Sequence, residues 1–293
     1  MLGGLILAAV GPLASKKIVK PIKDMTEVAK TITANNINTR LNVKASQYEL
    51  KELAETFNKM MDRIEEDYIR QQHFVSDASH ELRTPIAVMK GYADMLDRWG
   101  KKDEEVLEES IQAIKNETNN MQDLVEKLLF MARNDKNTLK LNKEEFIIKD
   151  LVEEVAKETK MISNNKNIQC ICDDDSLVFA DKNRIKQVIR IFVENAIKFT
   201  PDKGNILIKC RRDGDYTVVD VEDTGIGIKK RNLKKIFNRF YKEELSREKE
   251  QGGHGLGLSI AKIIVLGHRG KIKVKSIYEK GSIFSIYLPY IKK

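Results

Sequence analysis

The chain has 293 residues, of which 41% are hydrophobic, so it can hold two or three modules and at least one substantial core. A formal net charge of +8 would permit contact with nucleic acid or an anionic membrane. Lysine, arginine, aspartate and glutamate are nevertheless interleaved throughout, without a basic tract interrupted by aromatic residues, which argues against a nucleic-acid-binding protein.

Residues 1–15 are apolar and uncharged, and four lysines follow them within eight positions. Positive charge on that side places the C-terminal end of the segment in the cytoplasm. As a helix, the segment would span only about 22 Å of a hydrocarbon core of roughly 30 Å. We therefore expect a partial transmembrane helix. A signal peptide is disfavoured because no basic region precedes the apolar run.

Residues 16–68 carry two helical patterns joined by a connector. In each pattern the apolar residues recur at spacings of three and four, which is typical of a narrow coiled-coil seam. Parallel packing against a second chain and an antiparallel hairpin within one chain both fit, because a connector of about a dozen residues could close either. The seam residues are Ile22, Met25, Ala29 and Ile32, then Leu50, Leu53, Phe57, Met60 and Ile64.

The stretch Phe74-Val-Ser-Asp-Ala-Ser-His-Glu-Leu-Arg-Thr-Pro85 sets a histidine on the outer face of a helix. On a helical wheel His80 lies about 200° from Ala78, which faces the core. Pro85 cannot donate a hydrogen bond to the Glu81 carbonyl, so we expect the helix to loosen just past the histidine. An exposed imidazole at that place is open to another molecule.

A break at 99–103 separates this helix from a second one. Gly100 predicts a left-handed helix stop, and Asp103 predicts an N-cap before Glu104. The second helix carries an apolar face from Val106 to Leu128, so residues 65–133 read as an antiparallel hairpin. Pairing two chains into a four-helix bundle would cover that face, and we expect a homodimer.

Residues 134–142 are polar and turn-prone, and predict an interdomain linker before a C-terminal domain at 143–293. In this domain the alternation of helical and β-rich runs predicts an α+β sandwich with helices on one face of a sheet. Asp213-Gly214 and Lys280-Gly281 predict hairpin turns. The expected helices lie near 148–162 and 181–199, and the expected strands near 168–172, 205–211, 216–222, 271–277 and 282–288.

Three motifs in this domain suit a nucleotide. Asp223-Thr-Gly-Ile-Gly-Ile228 ends a β-rich run, and its glycines let the backbone approach a flat ligand. Gly253-His-Gly-Leu-Gly-Leu258 opens an apolar helix, whose N-terminal amides can hold phosphates. In Glu194-Asn-Ala-Ile-Lys-Phe-Thr-Pro201, Asn195 offers a hard oxygen for Mg²⁺ and Lys198 a charge for phosphate. Each motif alone also fits turn chemistry or a solvated lysine.

The stretch around His80 and these three motifs, in their order along the chain, resemble the sensor histidine kinases of two-component systems, from about residue 16 to the C-terminus. The resemblance implies a multidomain protein: a HAMP linker at 16–68, an all-α dimerisation and histidine phosphotransfer domain at 69–134, and an ATP-binding domain of the gyrase and Hsp90 (GHKL) type at 143–293. It further implies a cell-membrane location with the catalytic domains in the cytoplasm, and a response-regulator receiver domain as partner.

Residue roles follow from the same resemblance. His80 would take the γ-phosphoryl group of Mg-ATP, Glu81 would accept its proton, and Thr84 would orient water when the regulator is dephosphorylated. Asp223 would bind the adenine amino group, and Asn195 would ligate Mg²⁺. The full set of nucleotide-binding residues implied is Asn195, Lys198, Asp223, Gly225, Gly227, Arg239, Lys242, Gly253, Gly255, Leu256 and Gly257.

One further segment lies between the two glycine-rich motifs. Residues 243–251 are almost devoid of apolar side chains and predict a mobile lid, which Phe237 and Phe240 could dock unless they belong to the core. His254 and His268 we interpret as structural or incidental.

The family often has Asn one turn before the metal-binding residue, where this chain has Ile191. That departure leaves an alternative, a kinase-impaired and phosphatase-biased regulatory dimer.

Overall fold

The structure, a computed structural model, describes residues 20–42, 48–100, 103–134, 139–163, 165–173, 175–242 and 253–291. The chain divides into two compact units, Met1–His80 and Glu81–Lys293. No helix among the described residues is long and apolar enough to cross a membrane. The apolar segment at 1–15 and the lid at 243–251 lie outside the described residues.

In the first unit, helix α1 (Lys20–Thr31) is followed by a connector that lies against helix α2 (Tyr48–Trp99). The Leu41 N–H donates to Asn58 Oδ1 at 2.8 Å, and Asn58 Nδ2 donates back to the Leu41 carbonyl at 3.0 Å. Arg40 binds Asp62 at 2.7 Å and also contacts Glu65. These contacts attach the connector to one side of α2.

Three of the five residues in the predicted coiled-coil seam of α2 are exposed within the single chain. Leu53, Met60 and Ile64 are 56%, 47% and 44% exposed, whereas Ala54 and Met61, on the connector side, are buried. Exposed apolar side chains at this spacing form a stripe that a further helix could cover.

Helix α2 is continuous over its 52 residues and includes Pro85. At 1.5 Å per residue it is about 78 Å long. The loosening expected at Pro85 therefore does not interrupt the helix, because one missing N–H is tolerated where many hydrogen bonds remain on both sides. His80 and Thr84 are both exposed on it, as predicted.

Helix α3 (Glu104–Arg133) begins at the predicted N-cap, since Asp103 Oδ1 accepts hydrogen bonds from the N–H groups of Glu105 and Val106 at 3.0 and 3.3 Å. The prediction of a left-handed stop at Gly100 is wrong, because Gly100 is not among the residues with positive φ. Space explains this glycine instead: a Cβ there would lie 2.8 Å from the Leu96 carbonyl oxygen.

The rest of the second unit is an α+β sandwich, as predicted. A five-stranded sheet has the order β2-β4-β5-β7-β6, in which β2 and β4 run parallel and the other neighbours antiparallel. The short strands β1 and β3 pair separately and were not predicted. The elements are β1 Glu144–Ile147, α4 Ile148–Ile162, β2 Asn167–Cys172, β3 Leu177–Ala180, α5 Lys182–Phe199, β4 Asn205–Asp213, β5 Tyr216–Asp223, α6 Gly257–Gly267, β6 Lys271–Ile277 and β7 Gly281–Pro289.

The two faces of the sheet differ in chemistry. Helices α4, α5 and α6 pack on the inner face, where Phe192 of α5 meets Phe284 of β7 with ring centroids 5.2 Å apart. On the outer face charged residues pair across strands: Lys209 binds Glu222 at 2.8 Å, and Arg211 binds Asp220 at 2.9 Å. This alternation identifies the inner face as the core.

His268 is structural. Its Nε2 accepts a hydrogen bond from the Asp181 N–H at 2.9 Å, and its Nδ1 lies 2.8 Å from the Ile264 carbonyl, so the ring is a neutral Nδ1–H tautomer. Burial lowers its pKa below the usual 6.5.

A lowered histidine pKa stabilises the fold above the unfolded-state pKa, and this stability is lost as the pH falls. We expect the free energy of unfolding to decrease between pH 7 and pH 5, with a shallower decrease in His268→Gln, which itself loses about 1–2 kcal/mol at pH 7. Chemical unfolding at several pH values measures both, and the exposed His73→Gln is the control. Parallel pH profiles for His268→Gln and the unsubstituted chain would contradict the assignment.

Candidate functional site

A cavity of about 790 Å³ lies between the inner face of the sheet, helix α5 and the two glycine-rich loops. Most nucleotide-binding residues predicted from the sequence line it. Gly225 and Arg239 do not belong to the described residues that line it. The predicted residues in the lining are Asn195, Lys198, Asp223, Gly227, Lys242, Gly253, Gly255, Leu256 and Gly257.

Asp223 is the last residue of β5 and lies on the inner face, where its register partner in β7 is Ser282. Its side chain is buried, and Oδ1 accepts a hydrogen bond from the Gly225 N–H at 2.8 Å. Burial raises the pKa of this carboxyl, and the Gly225 and Ser282 N–H groups oppose the rise. A carboxylate has about four acceptor positions, so it can also accept from a ligand amine. Gly225 thus acts on the site by orienting Asp223.

Two glycines beside Asp223 permit very close backbone packing. Gly227 has φ +64°, and a Cβ there would stand 2.1 Å from the Ile277 carbonyl oxygen. Gly281 has φ +116°, and its Cβ would stand 1.9 Å from the Asp223 carbonyl oxygen. Neither position can hold a side chain without moving the strand end that carries Asp223.

Gly227→Ala is therefore expected to destabilise the domain by about 3 kcal/mol or more and to weaken nucleotide binding, because it adds a clash to an unfavourable φ. Gly214→Ala is the matched control, since Gly214 also has positive φ but no atom of the described residues lies within 4 Å of its added Cβ. It should cost only about 1–2 kcal/mol. Thermal unfolding compares the two, and equal losses would show that space at Gly227 is unimportant.

The second glycine-rich loop leads into the N-terminus of α6. Gly255 has φ +69°, and a Cβ there would lie 2.7 Å from the Phe240 carbonyl carbon. Phe240 itself has φ +57°, which is rare for an aromatic residue and indicates local strain. The first N–H groups of α6 open on the cavity through Leu256 and Gly257, and such groups favour anions.

Helix α5 supplies the third wall, with Asn195 and Lys198 nearly one turn apart. Burial lowers the pKa of Lys198, and the charge of Lys242 lowers it further. Two ammonium groups therefore share this part of the cavity. Thr200 Oγ1 is buried there and has no hydrogen-bond partner among the described residues. A polar ligand would satisfy the Thr200 hydroxyl.

Several lining residues were not predicted. Glu194 lines the cavity beside Asn195, and burial raises the pKa of its carboxyl. Its place in the motif was visible in the sequence, but its position at the cavity was not. Lys127 of α3 also lines the cavity, and no local signal marks it. Ile191 lies in the wall too, against Gly257: its Cγ2 would be 3.1 Å from a Cβ there.

Glu81, next to His80 in the sequence, contacts the rim of the cavity. Lys242 Nζ donates to both its carboxylate oxygens, at 2.7 and 2.9 Å, and His254 Nδ1 lies 3.2 Å from Oε2. His254 is therefore not an incidental residue. Its partner is 173 positions away, which sequence spacing cannot reveal.

Comparison with known families matches three consecutive parts of the chain. Residues 13–66 match the HAMP domain, residues 70–137 the His Kinase A (phospho-acceptor) domain, and residues 180–292 the histidine kinase-, DNA gyrase B- and HSP90-like ATPase. The chain belongs to the sensor histidine kinase family.

Similar proteins support this assignment. The signal transduction histidine-protein kinase ArlS of Staphylococcus aureus (strain USA300) is 35% identical over 283 residues, which are 96% of this chain and 63% of ArlS. The histidine kinase AdeS of Acinetobacter baumannii aligns with a TM-score of 0.56 and 26% identity, over 73% of this chain and 98% of AdeS. The histidine kinase ThkA, solved in complex with the response regulator protein TrrA, aligns with a TM-score of 0.60 and 28% identity, over 78% of this chain and 66% of that one.

Proposed function

We propose that this protein transfers the γ-phosphoryl group of Mg-ATP to His80 and then to an aspartate of a response regulator. One observation carries the proposal. Asp223 lies on one wall of the cavity and the N-terminus of α6 on another. At the rim, Lys242 and His254 are hydrogen-bonded to Glu81, the sequence neighbour of His80. In this proposal Asp223 accepts from adenine and the N-terminus of α6 binds phosphate, and both lie in the same unit as Glu81.

ATP would lie across the cavity with its adenine amino group on Asp223. A carboxylate accepts from that amine but would face the carbonyl oxygen of guanine, which favours ATP over GTP. Gly225 and Gly227 would leave room for the flat base. The phosphates would meet the N–H groups at Gly255, Leu256 and Gly257 and the ammonium groups of Lys198 and Lys242. Gly253 belongs to the same loop. We assign no nucleotide contact to Arg239.

Mg²⁺ fits the oxygen atoms on this side of the cavity. Asn195 would supply its amide oxygen, the phosphates and water would complete the coordination, and Glu194 and Thr200 add oxygen atoms nearby. When bound, the ion would neutralise phosphate charge and hold the phosphates in line. Of the described residues, Asn195 remains the one we assign as a direct ligand.

In the transfer, a neutral imidazole nitrogen of His80 forms the new N–P bond while the bond from the γ-phosphorus to the bridging oxygen breaks and ADP leaves. The proton on the other imidazole nitrogen passes to Glu81, which maintains the nucleophile. Thr84, one turn after His80 and exposed, would orient the water that dephosphorylates the regulator. Positioning and charge neutralisation would supply most of the rate.

The dimer, the regulator and the membrane belong to the same proposal. The exposed seam of α2 gives a second copy an apolar stripe to cover. The complex of ThkA with TrrA supports a receiver domain as the phosphoryl acceptor. A HAMP domain following an apolar segment supports attachment to the cell membrane, with the catalytic domains in the cytoplasm. No nucleic-acid partner is proposed.

Ile191 supports a second candidate, a kinase-impaired dimer that mainly dephosphorylates its regulator. It presents a buried apolar side chain to the cavity one turn before Asn195, where a polar residue would help to hold water around Mg²⁺. ATP binding alone does not separate the two candidates, because both keep Asp223 and the glycine-rich loops.

The deciding experiment incubates the chain with Mg-ATP labelled at the γ position. A phosphohistidine is labile in acid and stable in alkali, so label with this behaviour that moves to a receiver domain supports the kinase. A chain that takes up no label but still removes phosphate from a phosphorylated receiver supports the second candidate. Label that is stable in acid would exclude histidine as the acceptor and would contradict both.

A further inference from the structure

The contact of Glu81 with Lys242 and His254 is well shielded. The side chains of Glu81, Lys242 and His254 are 26%, 29% and 19% exposed. Bidentate acceptance from one ammonium group and a third hydrogen bond from an imidazole satisfy the carboxylate on several sides. Partly buried charges such as these are screened less than those on an open surface.

Both partners of Glu81 also belong to the nucleotide cavity. Lys242 and His254 line it, and they stand at the two ends of the segment that contains the predicted lid. Lys242 lies close enough to Lys198 for its charge to depress the pKa of that lysine, after the larger effect of burial. Glu81 is the anion that contacts Lys242, and an anion favours the charged form of a lysine.

We propose that Glu81 competes with the nucleotide phosphates: it holds Lys242 and His254 until a triphosphate binds them, and is then released to act on His80. The proposal rests on the function proposed above, since it takes Glu81 as the proton acceptor. It adds that ATP binding itself frees this group. A chain without nucleotide keeps the base occupied, and the rim of its cavity stays attached to the acceptor helix.

The protonation behaviour of Glu81 agrees with such a held state. Burial raises its pKa, but the hydrogen bonds from His254 and Lys242 outweigh burial, and the pKa lies below the usual value. A carboxylate with a lowered pKa is a weaker base. Release from both partners would therefore restore basicity at the moment when ATP is in place.

Binding of AMP-PNP, a non-hydrolysable ATP analogue, tests the competition in the full chain. Glu81→Gln removes the competing charge, so it should bind AMP-PNP about three- to ten-fold more tightly by titration calorimetry. Adenosine, which has no phosphates, should bind equally to both proteins. Asp94→Asn makes the same charge change at an exposed position of α2 and should leave both affinities unchanged.

A double-mutant cycle locates the effect. In a Lys242→Gln background, Glu81→Gln should gain much less affinity than in the unsubstituted chain, because the cation for which it competes is gone. Unchanged or weaker AMP-PNP binding in Glu81→Gln would overturn the competition, even if the unsubstituted chain phosphorylates itself. If Glu81→Gln binds AMP-PNP more tightly but the unsubstituted chain never acquires label, the proposed function and the release step are overturned. The competition between Glu81 and the phosphates would still be supported.

Discussion

Replacing His80 by glutamine is expected to reduce phosphoryl uptake from Mg-ATP to background, a loss of at least about a hundred-fold. Glutamine keeps a polar side chain of similar reach but has no nucleophilic nitrogen, since the amide lone pair is delocalised. Because His80 is exposed on α2, the substitution should change the free energy of unfolding by no more than about 0.5 kcal/mol. Labelling and thermal unfolding of the same preparation measure both effects.

His73→Gln is the matched control for this substitution. His73 lies on the same helix, is also exposed, and stands two turns before His80. It should retain full labelling. ATP binding should survive in both variants, because neither histidine is among the described residues that line the cavity. Persistent label in His80→Gln, or loss of label in His73→Gln, would show that the acceptor has been assigned to the wrong residue.

Asp223→Asn is expected to weaken ATP binding by about 2–4 kcal/mol, roughly 30-fold to 1,000-fold. The carboxylate accepts from the Gly225 N–H and has to accept from the adenine amine as well. An asparagine side chain has one acceptor oxygen, and its NH₂ group would face other donors. Burial raises the pKa of Asp223, so folding disfavours its ionised form at neutral pH. The variant should therefore be as stable as the unsubstituted chain or slightly more stable.

Glu222→Gln is the matched control, because it removes one negative charge next to Asp223 without changing Asp223 itself. Glu222 precedes Asp223 in β5 but points to the outer face, where it binds Lys209 at 2.8 Å. It should leave ATP affinity within about two-fold and reduce stability by at most about 1 kcal/mol. Calorimetric titration with ATP and a thermal melt without nucleotide test the pair. A similar loss of affinity in both variants would indicate general electrostatics rather than a contact of Asp223 with adenine.

Features that depend on residues close together in the sequence were predicted from the sequence alone. The alternation of side chains in β5 and the glycines after it are close in sequence, so the order of residues alone is enough to place Asp223 and its loop. The N-cap residue Asp103 was likewise predicted from its immediate neighbours. Strands β1 and β3, of four residues each, are too short to show a period and were missed.

The failures concern contacts between distant residues. Nothing near His254 in the sequence marks Glu81 as its partner, and nothing near Lys127 shows that it reaches the cavity. Arg239 was assigned from its motif, but the chain turns at Phe240 with positive φ, and Arg239 does not line the cavity among the described residues. Gly100 shows a different failure, because a glycine can be required for space rather than for a left-handed φ.

The opposite orientations of Glu222 and Asp223 make the choice of nucleotide depend on strand pairing. If β5 slipped by one residue against β4, Glu222 would turn inward and Asp223 outward, and Asp220 would enter the apolar core. The ion pairs of Lys209 and Arg211 on the outer face oppose such a slip, since it would break them and bury the carboxylates of Glu222 and Asp220. Two ion pairs that do not line the nucleotide cavity thus help to fix the strand register that turns Asp223 toward it.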